Sequence, residues 1–130
     1  MKQIGLSLLL LAGLHSTNSI ADAEQPKIHH VVVVWLKQHG DDGLRQQYIE
    51  QSKPLAQLPG VIRYQVGVPA AIKRSRPNPA VDDSYDVAVD SEFESQQAYE
   101  DFLKHPDYVR LAQEVLKPWV ESYKVYDFAE

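Results

Sequence analysis

The sequence predicts one small α+β domain in which four strands and two helical regions alternate. A nearly continuous β-branched segment comes first, and segments with a period of two or with helical spacing follow it. Their order is strand, helix, strand, strand, helix, strand, and the sequence shows no internal repeat. This order is typical of the split βαβ arrangement, in which two crossover units form one antiparallel-dominated sheet with helices on a single face.

The first half of the chain predicts a strand, a helix and a second strand. Residues 28–37 are β-branched and nearly continuous, which is typical of a buried strand. Glycine and aspartate at residues 40–43 break the chain. Apolar residues then recur at helical spacing, and Pro54 is expected to kink or end this helix. After a turn at residues 58–60, residues 61–68 alternate as a strand.

The second half of the chain begins with a polar loop. Residues 69–84 are rich in proline and charge and cannot pack a core. Residues 85–93 alternate as a third strand, and Ser95 is placed to cap the helix that follows. After a proline interruption, Asp107 is expected to cap a further helix, and residues 123–128 predict a last strand.

The predicted sheet has one face without helices, and alternation divides the first strand between the two faces. The residues expected beneath the helices are His29, Val31, Val33 and Trp35. Those expected on the uncovered face are His30, Val32, Val34 and Leu36. An uncovered apolar face normally marks an association surface, and a short chain gains core from a partner. We therefore expect a homodimer whose two sheets enclose a barrel with an interior.

The first 23 residues are typical of a secretion signal. They have a positive start at Lys2, an apolar run at residues 4–14 and the small-residue pattern of a cleavage site at residues 21–23. The apolar run ends well before the roughly 20 residues that a membrane-spanning helix needs. We expect cleavage after Ala23. Residues 24–130 would then form a single periplasmic or secreted domain without membrane attachment.

The composition excludes several classes of chemistry. The chain has no cysteine, so disulfides, thiolate nucleophiles, cysteine-ligated zinc and iron–sulfur clusters are excluded. The histidines lack the spacing of a zinc protease, and the sequence has neither a glycine-rich phosphate loop nor a nucleophile elbow. We therefore expect no metal and no cofactor. A formal net charge of −5 argues against nucleic acid as a partner.

Several short motifs in a fixed order resemble one known family. In chain order they are His30–Lys37, Leu58–Val61, Tyr85–Ala88, Phe93–Ser95, Tyr99, His105-Pro106 and Val125–Phe128. The set is similar to the stress-responsive A/B barrel domain, known as Dabb, a branch of the dimeric α/β-barrel superfamily. The resemblance covers about residues 28–128. It implies a ferredoxin-like protomer, a homodimer with a barrel between the subunits and a role in stress response.

The resemblance implies a wide range of activities. Members include stress-induced proteins without known chemistry and cofactor-free enzymes, among them cyclases of linear polyketides. In the cyclase-like members, the second histidine of a His-Pro-x-His stretch and an earlier helical tyrosine form an acid/base pair. The corresponding positions here are Tyr108 and Phe102. Because a phenol has a pKa of about 10, Tyr108 is a poor base at neutral pH but could donate a hydrogen bond to a ligand carbonyl.

His30 is the main candidate catalytic residue, and Asp86 is its expected partner. The first and third strands are expected to be parallel neighbours, which would place Asp86 beside His30 in the barrel interior. A carboxylate there could orient the imidazole and make it a general base or an anion-binding imidazolium. The alternative is a pair that only satisfies two buried polar groups or lies in solvent at a strand end.

The other candidate ligand-binding residues are Tyr108, His105 and Arg63. For His105, the alternative is a helix-capping residue in a turn. The basic segment at residues 73–76 either holds a carboxylate or phosphate at the pocket mouth or is simply solvated.

Three functions remain open from the sequence. The first is an exported dimeric barrel that binds a small, partly apolar molecule in a pocket lined by His30, Asp86 and Tyr108. The second is a cofactor-free enzyme, isomerase-like or cyclase-like, in which His30 transfers a proton at an activated carbon. The third is a structural stress protein whose interior is filled by its own side chains. An open pocket lined by polar groups would favour the first two.

Overall fold

The computed structural model describes residues 25–130 and confirms the predicted order of strands and helices. The predicted secretion signal, residues 1–23, lies outside the described residues. Within residues 25–130, no helix has both the length and the apolar character required to cross a membrane.

Four strands and several helical segments make up the domain. The strands are β1 Ile28–Leu36, β2 Val61–Gly67, β3 Val87–Phe93 and β4 Val120–Ala129. The α-helices are α1 Asp42–Ser52, α2 Gln96–Lys104 and α3 Pro106–Arg110. A 3₁₀ segment, Lys53–Gln57, follows α1; a π-helical segment, Leu111–Leu116, and a 3₁₀ turn, Lys117–Trp119, follow α3.

The helix ends follow from their capping residues. The side chain of Asp41 accepts a hydrogen bond from the Leu44 N–H at 2.9 Å and begins α1. Pro54 lies in the first turn of the 3₁₀ segment, which confirms that the α-helix ends there. Ser95 caps α2 as predicted, since its Oγ accepts from the Ala98 N–H at 3.1 Å.

The predicted cap of α3 is wrong. Asp107 lies inside the first turn of α3, and the capping residue is His105. Nδ1 of His105 accepts from the Asp107 N–H at 3.2 Å. Because the residue before a proline favours extended backbone, His105 takes the non-helical conformation of a cap.

The sheet has the order β2-β3-β1-β4, and every neighbouring pair is antiparallel. The expectation that the first and third strands run parallel is wrong. The crossover through α1 makes β2 parallel to β1, and β3 then returns antiparallel to β2. As a result Val87, at the start of β3, pairs with Val34 near the end of β1.

The assignment of faces along β1 is also reversed from the prediction. His30, Val34 and Leu36 are buried beneath the helices. The opposite stripe, which begins at His29, lies on the helix-free face and is partly exposed. Both stripes of this strand are rich in valine, so alternation separates the faces without indicating which one the helices cover.

The core fills the space between the helix-covered side of the sheet and the helices. Its buried members are Val34, Leu36, Tyr48, Leu55, Val87, Val89, Phe93, Phe102, Leu111 and Leu116. β1 and β3 contribute buried residues to this layer, and β2 packs against it. Of β4, only Val120 packs against the core, and the rest of the strand is exposed at the sheet edge. The helices therefore leave one side of the core open near β4.

Candidate functional site

A cavity of about 360 Å³ lies between the helix-covered side of the sheet and the helices. Six aromatic residues form much of its wall: Tyr48, Tyr64, Tyr99, Phe102, Tyr108 and Tyr123. Aliphatic residues from β1 and β3 form its floor: Val32, Val34 and Val89. His30 also lines it. The cavity that His30 lines is therefore on the helix-covered side of the sheet and within one protomer, whereas the prediction placed His30 on the uncovered face.

His30 is held by a carboxylate from β4. The two strands pair so that His30 lies directly opposite Asp127. Nδ1 of His30 lies 2.5 Å from Oδ1 of Asp127. The histidine side chain is 10% exposed and the aspartate side chain 42%, so the imidazole is buried and its partner borders on solvent.

Tyr99 completes this polar cluster. Its hydroxyl lies 3.1 Å from Nδ1 of His30 and donates to Oδ2 of Asp127 at 3.2 Å. Burial and the negative charge of Asp127 raise the pKa of Tyr99, so the phenol remains protonated and acts as a donor.

A close helix–turn contact positions Tyr99. Gly60, in the turn before β2, has φ +80°, and a Cβ atom there would lie 2.7 Å from Cβ of Ala98. Only glycine both adopts this conformation easily and leaves room for the helix. The turn can therefore approach α2 at the residue next to Tyr99.

The cluster fixes the hydrogen-bonding roles of the imidazole. A carboxylate next to Nδ1 holds the proton of a neutral imidazole on that nitrogen. Nε2 then carries the lone pair, and no hydrogen bond among residues 25–130 involves it. Since His30 lines the cavity, the arrangement can accept a hydrogen bond or a proton from a bound molecule.

Tyr48 and Tyr64 of the wall are neutral hydrogen-bonding groups. Burial raises the pKa of Tyr48 to about 12, and it raises the pKa of Tyr64 as well. The rings of Phe102 and Tyr108 lie 4.8 Å apart. These two positions, where the resemblance places the acid/base pair of cyclase-like members, are therefore adjacent in the wall but carry no base here.

Asp86 does not lie beside His30, and the predicted pairing is wrong. Because β1 and β3 are antiparallel, Asp86 lies near the other end of β1, where its N–H donates to the Val34 carbonyl at 2.8 Å. It is fully buried and accepts hydrogen bonds at 2.8 to 3.0 Å. Its four donors are the backbone N–H groups of Leu36 and Gly40 and the side chains of His39 and Arg45.

These donors determine the charge state of Asp86. Burial alone would raise its pKa, but the hydrogen bonds from Gly40, His39, Leu36 and Arg45 outweigh burial and lower the pKa to about 2. The carboxylate therefore ties the loop after β1 and the start of α1 to the sheet. It is not among the residues that line the cavity.

Of the other predicted site residues, the structure brings only Tyr108 to the cavity with His30. Arg63 lies on the opposite side of the sheet, 2.9 Å from Asp90 and 3.6 Å from Glu92. His105 caps α3 and does not line the cavity.

A group that includes His29 and Glu130 also lies on the helix-free side. Nε2 of His29 is 2.7 Å from Oε2 of Glu130, and Glu92 lies close to both. Lys27, at 3.5 Å, and Arg63 already pair with Glu92. This cluster is therefore an ion-pair network at the end of the sheet.

Asp127 and Tyr99 are the site residues that sequence reasoning missed, although the signal for Asp127 was available. In a split βαβ sheet the last strand runs antiparallel beside the first, so the end of one lies next to the start of the other. Period-two alternation then places Asp127 on the same face as His30. No comparable short-range pattern links Tyr99 to this pair.

The sheet order and the single layer of helices define a ferredoxin-like α+β protein, here with a cavity between the two layers. The sequence profile of the Stress responsive A/B Barrel Domain family, Dabb, matches residues 28–130, and the chain belongs to this family. A Dabb family protein with a ferredoxin-like fold from Mesorhizobium loti is 25% identical. Its structure aligns with a TM-score of 0.65 over 82% of this chain and 98% of that chain.

Two further solved structures show the same fold at lower identity. A dimeric ferredoxin-like protein from Thermobifida fusca is 19% identical, with a TM-score of 0.64 over 82% of this chain and 93% of its own. The hydroxynitrile lyase from Passiflora edulis is also 19% identical, with a TM-score of 0.64 over 82% and 94%. At this identity the likeness concerns the fold alone. No curated protein sequence matches the chain.

Proposed function

We propose that the protein binds a small, partly apolar molecule in the cavity between the sheet and the helices. The observation that carries this proposal is the cavity itself, of about 360 Å³. Small-molecule sites typically have volumes of roughly 300–1,000 Å³, mainly apolar walls and a few convergent polar groups. Here the wall is mainly aromatic and aliphatic, and His30 with Tyr99 supplies the polar groups. Open space of this kind disfavours a purely structural role.

Filling the cavity tests this proposal. Val32 lines the cavity on the same face of β1 as His30, so Val32→Phe should occupy the ligand's space. We expect it to weaken binding of a neutral aromatic probe, benzyl alcohol, by about tenfold or more in ligand-observed NMR. Val109→Phe is the control, because Val109 is exposed on α3 and does not line the cavity.

Native mass spectrometry of protein isolated from its own periplasm complements the NMR measurement with benzyl alcohol. We expect a retained ligand on the wild type and none on Val32→Phe. Equal probe binding by the wild type and Val32→Phe would contradict the proposal, and so would a wild-type protein that neither retains a ligand nor binds the probe.

We further propose that two copies associate through the helix-free face of the sheet. Its apolar residues include Val31, Val33, Trp35, Tyr126 and Phe128. Tyr126 and Phe128 are more than half exposed, and apolar patches of this kind normally mark association surfaces. The similar Thermobifida fusca protein is described as dimeric, which supports the same assembly here.

A charge placed on this face tests the dimer. Val31→Asp should shift the protein from dimer to monomer in light scattering coupled to size-exclusion chromatography. Val31 lies opposite Asp90 and Tyr126, so a carboxylate there has no basic residue directly opposite it, and burying it at an interface is costly. Val109→Asp, on the helix side, should leave the dimer intact. A wild-type protein that is monomeric at micromolar concentration would refute this part of the proposal.

Export remains a proposal that rests on residues 1–23. The charged start, apolar run and cleavage pattern support removal after Ala23 and a periplasmic location. Sequencing the N-terminus of protein from the periplasmic fraction should give Glu24 first; an unprocessed chain in the cytoplasm would contradict export.

The net charge of −5 supports a partner other than nucleic acid or an anionic membrane.

The 2.5 Å contact between His30 and Asp127 favours a second function, cofactor-free proton transfer. With Nδ1–H directed at the carboxylate, Nε2 can take a proton from a carbon next to a carbonyl. The electron pair of that C–H bond then moves onto the carbonyl oxygen as an enolate. Return of the proton from Nε2 to the same or a neighbouring carbon gives back a carbonyl compound, as in an isomerase.

Deuterium exchange separates the two functions. The methyl protons of acetophenone in deuterated water should exchange about 100-fold faster with the enzyme than in buffer, and His30→Gln should remove the acceleration. Benzyl alcohol should still bind His30→Gln within a few fold. Exchange no faster than in buffer would leave binding as the function.

A further inference from the structure

One helical segment that lines the cavity is π-helical over Leu111–Leu116. The backbone N–H of Lys117 donates to the carbonyl of Ala112, five residues earlier. This wider winding is rare and is found frequently at functional sites. Here the segment and the residue after it supply Ala112, Gln113 and Lys117 to the cavity wall. Two polar side chains therefore lie where the helix borders the cavity.

Lys117 brings a positive charge to the cavity. Its Nζ donates to Oε1 of Gln113 at 3.3 Å, and within residues 25–130 it forms no salt bridge. Among the described lining residues, Lys117 is the sole lysine or arginine, and none is an aspartate or glutamate. The chain has a net charge of −5, and the only partner of this cation among the described residues is a neutral amide, so the ammonium group is available to an anion.

Tyr108 and Tyr123 add hydrogen-bond donors to the same wall. Burial, and then the proximity of Tyr123, raise the pKa of Tyr108, so its phenol stays protonated at neutral pH. An ammonium group, an amide and phenols all stabilise a carboxylate by donating hydrogen bonds.

Lys117 and His30 lie toward opposite ends of β1. The N–H of Lys37 donates to the carbonyl of Trp119 at 2.9 Å, which places the residues after Lys117 beside the end of β1. The strand from His30 to Leu36 is roughly 20 Å long at about 3.3 Å per residue. A ligand that approaches both polar groups is therefore elongated.

We propose that the cavity selects an elongated apolar monocarboxylate, with the carboxylate held by Lys117 and Gln113 and the apolar body directed along β1 toward His30. This inference rests on the proposed function, because it requires the cavity to be a binding site. A single lysine without a neighbouring arginine matches one negative charge, and the aromatic wall matches an apolar body.

Two probes of equal shape test the charge preference. Cinnamate and its neutral amide, cinnamamide, are titrated into the purified protein by isothermal calorimetry. We expect cinnamate to bind about tenfold more tightly, since an ammonium group makes a stronger hydrogen bond to a carboxylate than to a neutral amide. Lys117→Met should abolish the preference by weakening cinnamate alone, and Lys117→Arg should retain it. Lys104→Met, at an exposed lysine of α2 outside the cavity, should change neither affinity.

The outcomes distinguish this inference from the proposed function. Equal affinities for the two probes, or a cinnamate preference that survives Lys117→Met, would overturn the carboxylate site and leave cavity binding intact. Failure of both probes to bind would overturn cavity binding and the carboxylate site together.

Discussion

An aspartate pairs with a histidine near each end of β1, and the two pairs differ in which partner is buried. Near the end of β1, Asp86 is fully buried and its partner His39 is 59% exposed. Near the start, His30 is 10% exposed and Asp127 is 42% exposed. The same two residue types are therefore arranged in opposite ways near the two ends of one strand.

The hydrogen bonds of the two aspartates explain why this difference in burial matters. Asp86 accepts from two backbone N–H groups and from Arg45 in addition to its histidine, so its carboxylate joins three segments of the fold. Asp127 contacts the side chains of His30 and Tyr99. A buried carboxylate saturated by backbone donors stabilises the fold, whereas a buried imidazole with one nitrogen toward a cavity is available for chemistry.

The largest effect on stability is expected for Asp86→Asn. An amide cannot accept from four donors and leaves Arg45 without its buried partner, so the free energy of unfolding should fall by about 4 kcal/mol. Urea unfolding followed by circular dichroism measures this. Asp42→Asn is the control, because Asp42 contacts the same Arg45 at 3.6 Å from a 95% exposed position. It should change stability by less than about 0.5 kcal/mol.

At temperatures where Asp86→Asn is still folded, it should bind benzyl alcohol like the wild type, because Asp86 does not line the cavity. Weak binding by a folded Asp86→Asn, or a stability loss near that of the control, would remove the distinction between the two ends of β1.

Much of the fold follows from the sequence because its elements have clear periodicity and capping residues. The order of elements, the cap at Ser95 and the break at Pro54 are confirmed. The reversed faces of β1 could not be read from alternation, since valine occupies both stripes. The π-helical winding of Leu111–Leu116 has no short sequence signal, because the apolar spacing of an α-helix fits it nearly as well.

The second prediction concerns the contribution of Asp86 to stability in acid. A carboxyl group whose pKa is lower in the folded state stabilises the fold when it is ionised. For Asp86 this stabilisation is complete above the unfolded pKa of about 3.9 and is lost as the pH falls toward about 2. The shift corresponds to about 2 kcal/mol.

Unfolding free energies measured between about pH 5 and pH 2 check this. The wild type should lose stability more steeply than Asp86→Asn, which lacks the group, and the difference between the two should narrow by about 2 kcal/mol as the pH falls to about 2. Parallel curves would show that another carboxyl group causes the acid sensitivity.

The site was predicted only in part because its contacts cross strands. His30 and Tyr108 have residue types and positions that point to a ligand, and both line the cavity. The partner of His30 depends on which strand lies beside β1 and in which direction. A parallel third strand would have brought Asp86, whereas the antiparallel β4 brings Asp127. The wrong direction assigned to the third strand therefore led to the prediction of Asp86, which stabilises the fold, in place of Asp127 as the partner of His30.

The smallest effect on stability, and the most specific effect on the site, is expected for Asp127→Ala. Asp127 borders on solvent, so its removal should cost about 1 kcal/mol. Without the carboxylate, the Tyr99 hydroxyl is free to donate to Nδ1 of His30, 3.1 Å away, and the imidazole proton should move to Nε2. Nitrogen NMR of the labelled imidazole in mildly alkaline buffer would detect this change of tautomer.

Two controls make the tautomer measurement decisive. Asp90→Ala removes a carboxylate from the helix-free face and should leave the His30 spectrum unchanged. Asp127→Ala combined with Tyr99→Phe removes both partners of Nδ1, so the imidazole should populate both tautomers. If the proton stays on Nδ1 in Asp127→Ala, the carboxylate does not orient the imidazole. Nε2 would then have no assigned role toward a bound molecule, and the start of β1 would resemble its other end.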